Sequence, residues 1–196
     1  IIMNVLFLNP PDINKISEST VDEKAHEYIE SDDFGAFPPL GLMYVMSYLE
    51  KHAPHHKLFF KDCIAERVGH NDLKDYVAEI KPDVVAVTSF TISMIDVIIA
   101  AQNIRKIFPN VHLCLGGHHP IAFPFEAASL PEFDSIVVGE GEMVFTELVN
   151  RIEKKKSFTD IVGVYTKESI KRFENTTLKD RRFLNKVKVP PAYIDD

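Results

Sequence analysis

Short apolar runs alternate with longer amphipathic segments along most of this chain. The apolar runs lack sustained polar alternation, which is typical of strands buried on both faces of a sheet. They predict strands at residues 5–8, 58–62, 84–88, 112–115 and 136–138. The segments between them carry apolar residues at helical spacing. These predict helices at residues 40–52, 71–80, 93–108, 125–130 and 142–154.

Strand followed by helix, repeated five times, predicts an α/β fold with a doubly wound parallel sheet. We expect a three-layer, Rossmann-like (flavodoxin-like) domain over residues 3–156, with five strands in the order 2-1-3-4-5. Beyond it, residues 161–166 and 169–174 predict a hairpin, and the charged stretch to residue 196 is typical of a linker. The acidic residues 12–38 are long for a strand-to-helix connection, which leaves open a lid, a partner contact or disorder.

Composition narrows the class of protein. The 196 residues suffice for one domain with a substantial core. Because 22 basic and 29 acidic residues give a net charge of -7, a nucleic-acid partner is not expected. No apolar run reaches the roughly 20 residues that span a bilayer, and the first residues lack a signal-peptide pattern. We therefore expect a cytoplasmic location and no membrane insertion.

The loops after the predicted strands converge at one edge of such a sheet. They are rich in glycine, proline and small hydroxyl residues and poor in bases and nucleophiles, so no catalytic residue is predicted. Small residues at Ser89, Gly116 and Gly117 would leave a slot open between strand ends, where a ligand can approach the backbone closely. The pattern predicts a ligand-binding face.

Three familiar occupants of this fold do not match. Residues 9–11, after the first strand, lack the glycines of a dinucleotide site and the Ser, Thr and Gly of a flavin phosphate loop. A receiver domain would have an aspartate after strand three and a lysine after strand five, where Thr88 and Gly139 stand. Two other classes stay open. One is a nucleotide or nucleotide-sugar site with residues 116–117 as phosphate cradle, and the other is a docking domain without cofactor.

Four motifs occur in a fixed order: Asn-Pro-Pro at 9–11, Pro-Pro-Leu-Gly-Leu at 38–42, Gly-Gly-His-His-Pro at 116–120 and Val-Gly-Glu-Gly-Glu at 138–142. Together they resemble the amino-terminal cobalamin domain of B12-dependent radical S-adenosylmethionine enzymes, in particular the anaerobic magnesium-protoporphyrin IX monomethyl ester cyclase group, over roughly residues 3–195. The resemblance implies that the chain binds cobalamin as part of a larger oxidoreductase or methyltransferase. With the convergent loops, it gives these candidate cofactor-binding residues: Asn9, Pro10, Pro39, Leu40, Asp62, Cys63, Ser89, Phe90, Thr91, Gly116, Gly117, His118, Gly139, Glu140 and Gly141.

One departure from the wider cobalamin group concerns the ligand of the metal. Other cobalamin domains carry Asp-x-His-x-x-Gly after strand two, in which the histidine binds cobalt from below. Here Asp62 is retained, but Ile64 stands in place of the histidine and Arg67 in place of the glycine. The resemblance therefore implies cobalamin bound base-off without a protein histidine, and no protein metal ligand is predicted.

A second departure concerns the iron-sulfur cluster. Radical S-adenosylmethionine enzymes hold a 4Fe–4S cluster with three cysteines in Cys-x-x-x-Cys-x-x-Cys, whereas this chain has only Cys63 and Cys114. The resemblance thus assigns the cluster and S-adenosylmethionine to a separate barrel domain, in cis or in trans. Cys114 is expected to be a core thiol, and Cys63 either packs normally or approaches the corrin. Because their strands lie about 14 Å apart, no disulfide between them is expected.

Several polar residues leave two interpretations open. Asp62 would bond either the backbone of a strand-end turn or a corrin amide. His118 and His119 favour capping or a hydrogen bond to ligand over a metal site. Glu140 and Glu142 suit the start of a helix, although they could also form a carboxylate pair in a site.

Overall fold

A computed structural model describes residues 1–14 and 37–173. Within these ranges, six strands form one sheet in the order β2-β1-β3-β4-β5-β6. The strands are β1 (Asn4–Asn9), β2 (Lys57–Asp62), β3 (Val84–Ser89), β4 (His112–Gly117), β5 (Ser135–Val137) and β6 (Val164–Tyr165). Strands β1 to β5 run parallel, and β6 pairs antiparallel with β5.

Helices cover both faces of this sheet. They are α1 (Leu40–His52), α2 (His70–Ile80), α3 (Met94–Ile107), α4 (His118–Ala122), α5 (Pro124–Ser129), α6 (Glu142–Glu153) and α7 (Lys167–Ile170). Helices α1 and α6 contact each other on one face, and α2 and α3 contact each other on the opposite face. None of the helices in the described ranges has the length and apolar character needed to cross a membrane.

The side chains of β1 to β4 alternate between two cores, as expected for a sheet covered on both sides. Leu6 and Val85 belong to the core under α2 and α3, whereas Phe7 and Ala86 belong to the core under α1 and α6. The ring of Phe7 packs edge-on against Phe145 of α6, with the centroids 5.6 Å apart. The strands therefore have no polar face, which explains their continuous apolar runs.

The predicted α/β class and the strand order 2-1-3-4-5 are confirmed. The predicted hairpin is wrong. Residues 164–165 form a sixth strand on the edge of β5, and residues 167–170 form helix α7. The reason is local: the Ser169 amide donates to Thr166 Oγ1 at 3.1 Å and the Thr166 amide donates to Ser169 Oγ at 2.7 Å, a capping box that starts a helix.

Two other predictions fall largely outside the described residues. The predicted linker beyond residue 173 and most of the acidic segment 12–38 lie outside them. Of the acidic segment, residues 12–14 and 37–38 are described, and residues 12–14 continue from β1 along the edge where the strands end.

The order in which the strands are added to the sheet reverses between β1 and β3, while the strands themselves stay parallel. Strand β1 pairs with β2 on one side and with β3 on the other. Helix α1, which follows β1, and helix α3, which follows β3, cover opposite faces of the sheet. In doubly wound sheets this reversal opens a crevice beyond the carboxyl ends of the two strands. The loops after Asn9 and Ser89 lie at this point.

The stability of this fold is expected to fall in mildly acidic solution, partly through His112. Burial lowers the pKa of His112 from its ordinary value of 6.5 to about 4, while its ring contacts Ser135 Oγ at 2.8 Å. Since the unfolded chain takes up a proton on this histidine that the folded chain excludes, the free energy of unfolding should decrease as pH falls from 6.5 toward 4, by up to about 3 kcal/mol. Urea unfolding across this pH range measures the effect.

A His112→Gln variant supplies the comparison, because glutamine cannot titrate and can still bond Ser135. The variant should lose part of the slope that the unmodified chain shows. Equal slopes for the unmodified chain and His112→Gln would contradict the assignment.

Candidate functional site

A deep cavity of about 1830 Å³ opens at the carboxyl ends of the parallel strands. It continues downward between the sheet and the helices α1 and α6. Its walls there consist of alternate residues of three strands and of apolar side chains from the two helices. These are Ala86 and Thr88 of β3, Cys114 and Gly116 of β4, Val137 and Gly139 at β5, Leu42 and Val45 of α1, and Phe145 of α6. We call this deep part the slot.

The slot exists because the strand residues facing α1 and α6 are small. A Cβ atom added at Gly116 would meet nothing closer than the Val87 carbonyl oxygen at 4.0 Å, so a longer side chain would extend into the slot. Ala86 and Cys114 also bring little volume to this face. Because side chains alternate between the two faces of a strand, these small residues lie together on one face of β3 and β4. Larger residues at these positions would fill the cavity.

Gly117 has a different role from Gly116. It adopts φ +92°, and a Cβ atom there would lie 2.6 Å from the Ser89 carbonyl oxygen and 2.7 Å from the Ser89 nitrogen. Gly117 therefore permits the close approach of β4 to the end of β3. The Ser89 hydroxyl donates to the Gly116 carbonyl at 2.8 Å, which ties the same two strand ends together. These residues shape the floor of the cavity through the backbone.

Most of the candidate residues lie around this one cavity. The residues that line it are Asn9, Pro10, Pro39, Leu40, Cys63, Ser89, Phe90, Gly116, Gly117, His118, Gly139, Glu140 and Gly141. Asp62 and Thr91 lie outside the lining. The structure thus brings candidate residues from five loops together at one cavity, and it places Asp62 and Thr91 outside the cavity wall.

The Asp62 carboxylate closes a strand-end turn. It is buried, and its Oδ1 accepts hydrogen bonds from Asn9 Nδ2 at 2.9 Å and from the amides of Ile64 and Ala65 at 3.1 Å each. Arg67 in the same turn has φ +54°, a left-handed conformation that glycine adopts more easily. Of the two interpretations of Asp62, the turn is therefore the one that its contacts favour.

The two histidines after β4 diverge. The ring of His118 lies at the cavity and stacks on Phe90, with centroids 4.6 Å apart and an angle of 13° between the planes. His119 is buried, and its Nδ1 lies 3.3 Å from Thr91 Oγ1. Burial lowers the pKa of His119, which keeps the ring neutral. Thr91 thus lies beside His119, and both residues lie outside the lining of the cavity.

Both cysteines are free and buried. Burial raises the pKa of each thiol to about 12, so both stay protonated at neutral pH. A neutral thiol is a poor nucleophile and a poor metal ligand. Cys63 and Cys114 both line the cavity, and they contribute shape and apolar surface to it.

Among the described residues, the charges at the cavity are predominantly negative. Asp12, Glu140 and Glu142 line it, against one guanidinium from Arg67. Glu142 is the first residue of α6, where a carboxylate is favourable for the helix dipole, and no side-chain hydrogen bond caps this helix. Such a lining favours a neutral or cationic ligand over a polyanion.

Two residues of the slot, Gly116 and Gly139, are among the predicted candidates, and the other slot residues are not. The loops follow from the order of strands and helices along the sequence, whereas the slot depends on the face of the strands below them. The available signal was the recurrence of small residues at alternate positions, namely Ala86 and Thr88 in β3 and Cys114 and Gly116 in β4.

Comparisons with known proteins agree with this geometry. Residues 34–149, more than half of the chain, match the B12 binding domain family. An uncharacterized methyltransferase of Pyrococcus horikoshii is 33% identical over 133 residues, which is 67% of this chain and 28% of that protein. An anaerobic magnesium-protoporphyrin IX monomethyl ester cyclase of Rubrivivax gelatinosus is 27% identical over 127 residues, covering 64% of this chain and 23% of the cyclase.

A solved structure shares the fold. The radical S-adenosylmethionine methyltransferase TsrM from Kitasatospora setae, with cobalamin and a 4Fe–4S cluster bound, superimposes with a TM-score of 0.61 at 19% identity, over 84% of this chain and 27% of that one. The chain spans about a quarter of the length of the two sequence relatives. On the family match and this geometry, the chain belongs to the B12-binding domain family.

Proposed function

We propose that this chain is the cobalamin-binding part of a larger radical S-adenosylmethionine enzyme and that the nucleotide-base tail of cobalamin occupies the slot. The observation that carries the proposal is the slot itself, a deep apolar channel kept open by Gly116, Ala86 and Cys114. Membership of the B12-binding domain family supports cobalamin as the occupant. The cavity residues named above fit the group, because a flat corrin needs an open mouth and its tail a narrow channel.

Around the mouth, the proposed corrin contacts come from backbone and short side chains. Asn9, Pro10, Ser89 and Gly139 lie there, and Phe90 presents its ring together with the stacked His118. When bound, cobalamin supplies a cobalt centre that can carry a methyl group or exchange electrons. The residues of this chain orient the macrocycle and exclude water from the tail.

We further propose that cobalamin is held base-off with no protein ligand on the lower face of cobalt. Ile64 lines the cavity at the position where related domains carry their ligand histidine. The neighbouring Cys63 thiol has its pKa raised to about 12 by burial, so it offers no thiolate. The surroundings of the lower face, apolar and uncharged at these two residues, then set the properties of the metal.

The partner in this proposal is a radical S-adenosylmethionine barrel, in cis or in trans, which holds the 4Fe–4S cluster and S-adenosylmethionine. Phe37, Leu40, Phe90, Ile92 and Ile121 line the cavity and remain exposed in this chain. An apolar rim of this kind is typical of a surface covered by another domain. We place the domain boundary beyond residue 173, because within the described residues β6 forms the edge of the sheet next to β5 and α7 contacts α5.

Filling the slot should abolish cobalamin binding. Gly116→Leu places an isobutyl group into the channel without a clash with the backbone, so the Kd for hydroxocobalamin should rise by about a hundredfold or more. Ala78→Leu places an isobutyl side chain on the exposed surface of α2 and should bind like the unmodified chain. Absorption titration and calorimetry measure the affinities, and circular dichroism monitors the fold.

Two results would count against the proposal. Unchanged affinity in Gly116→Leu would mean that the tail does not enter the slot. No binding by the unmodified chain would overturn the cobalamin assignment for this chain and favour a nucleotide-type ligand or a docking domain.

Restoring the missing histidine should change the ligand of cobalt. Ile64→His places an imidazole at the motif position on the cavity wall, and hydroxocobalamin bound to it should show the absorption spectrum of nitrogen-ligated cobalt. Ile64→Leu keeps the apolar lining and should retain the base-off spectrum. Identical spectra for the two variants would contradict the placement of Ile64 beneath cobalt.

A further inference from the structure

A buried carboxylate joins three segments beside the cavity. Asp96, in the first turn of α3, is fully buried. Its Oδ2 accepts hydrogen bonds from the Ile13 amide at 2.9 Å and the Asn14 amide at 2.7 Å. Its Oδ1 accepts from Asn14 Nδ2 at 2.8 Å and contacts His70 Nε2 at 2.7 Å. One side chain thus connects the loop after β1, the start of α2 and the start of α3.

The loop after β1 depends on this carboxylate. Pro10 and Pro11 have no backbone N–H to donate. In the described part of the chain, the hydrogen bonds by which residues 10–14 are tied to the fold end on Asp96. Asp12 and Ile13 of this loop line the cavity. The position of this wall is therefore determined by Asp96.

The same carboxylate also fixes the neighbouring wall. His70 is the first residue of α2 and directly follows Gly69, which lines the cavity. The Ile13 side chain reaches within 4.0 Å of a Cβ position built at Gly69, so the two walls meet. Asp96 stands behind this contact and outside the lining itself.

Four donors require a carboxylate. Two carboxylate oxygens offer about four lone-pair sites, whereas an asparagine amide offers two and adds an N–H that faces other donors. Burial by itself raises the pKa of Asp96, but the hydrogen bonds from Asn14, His70 and Ile13 outweigh it and lower the pKa below its ordinary value. The side chain is therefore ionised at neutral pH, and an ionised acceptor binds these donors strongly.

We infer that Asp96 is a positioning residue for the cofactor: it holds Ile13 and the start of α2 against bound cobalamin, so that affinity depends on a side chain that does not touch the ligand. This inference rests on the proposed function. It deepens it by naming what sets the wall formed by the loop after β1.

The test compares affinity with local and global stability. Asp96→Asn leaves buried donors unmatched, and the Kd for hydroxocobalamin should rise about tenfold. In the cofactor-free protein, hydrogen exchange at the Ile13 and Asn14 amides should accelerate, while the amides of β3 and β4 stay protected. A general loss of structure would accelerate exchange in the strands as well.

Two further variants keep the test decisive if Asp96→Asn folds poorly. Asn14→Pro removes both Asn14 donors, leaves the Asp96 and His70 contact in place, and should weaken binding to a similar extent. Asp134→Asn is the matched control: Asp134 accepts from Arg105 and from the Leu113 amide on the opposite end of the sheet. Its loss should lower stability and leave affinity unchanged.

The outcomes separate the two proposals. Binding by the unmodified chain together with unchanged affinity in Asp96→Asn and Asn14→Pro would overturn the positioning role and leave the proposed function intact. Equal weakening by Asp134→Asn would also overturn it, because the effect would then follow global stability. Absence of binding by the unmodified chain would overturn the proposed function, and the positioning role with it.

Discussion

The close approach of β4 to the end of β3 is the constraint on which the site depends. A side chain at residue 117 would overlap the backbone of Ser89, so only glycine lets these two strand ends meet. The Ser89 hydroxyl then bonds the Gly116 carbonyl and fixes the floor. Below these strand ends, Ala86, Cys114 and Gly116 are small, so the space between the sheet and the helices α1 and α6 stays open. A cavity of about 1830 Å³ follows from this arrangement.

The fold could be predicted where local pattern and topology agree. Continuous apolar strands and helical spacing between them predict the order of β1 to β5, because a parallel sheet needs both faces covered. The end of the chain was harder. Residues 164–165 pair with the free edge of β5, a long-range contact, and the Thr166 and Ser169 cap gives a helix where β-rich residues suggested a second strand.

For the site, too, one part could be predicted from the sequence and another part could not. Loops at the strand ends converge for topological reasons, so their glycines and prolines could be assigned to one cavity from sequence. The slot below them depends on which face each strand residue presents, and Ala86 and Cys114 have no distinguishing chemistry of their own. Asp96 could not be found in this way, because its partners Ile13, Asn14 and His70 lie 83, 82 and 26 residues away and outside any motif. Only the folded chain brings them together.

Charge and shape select the same ligand class by separate arguments. The acidic residues at the mouth oppose a polyanion such as a nucleotide, and the apolar slot suits a neutral aromatic base. In the arrangement proposed above, Ile64 and the protonated Cys63 thiol would face the lower side of the corrin and would offer cobalt no ligand. The turn at Asp62 retains the framework of a histidine-containing loop without its ligand.

The electron paramagnetic resonance spectrum of cob(II)alamin bound to this chain tests the central claim most directly, because an axial nitrogen splits the cobalt lines through its nuclear spin. Our account predicts a spectrum without nitrogen superhyperfine splitting, since the base lies in the slot and no imidazole replaces it. A spectrum with nitrogen splitting in each cobalt line would show that the base stays on the metal, and it would contradict the assignment of the slot.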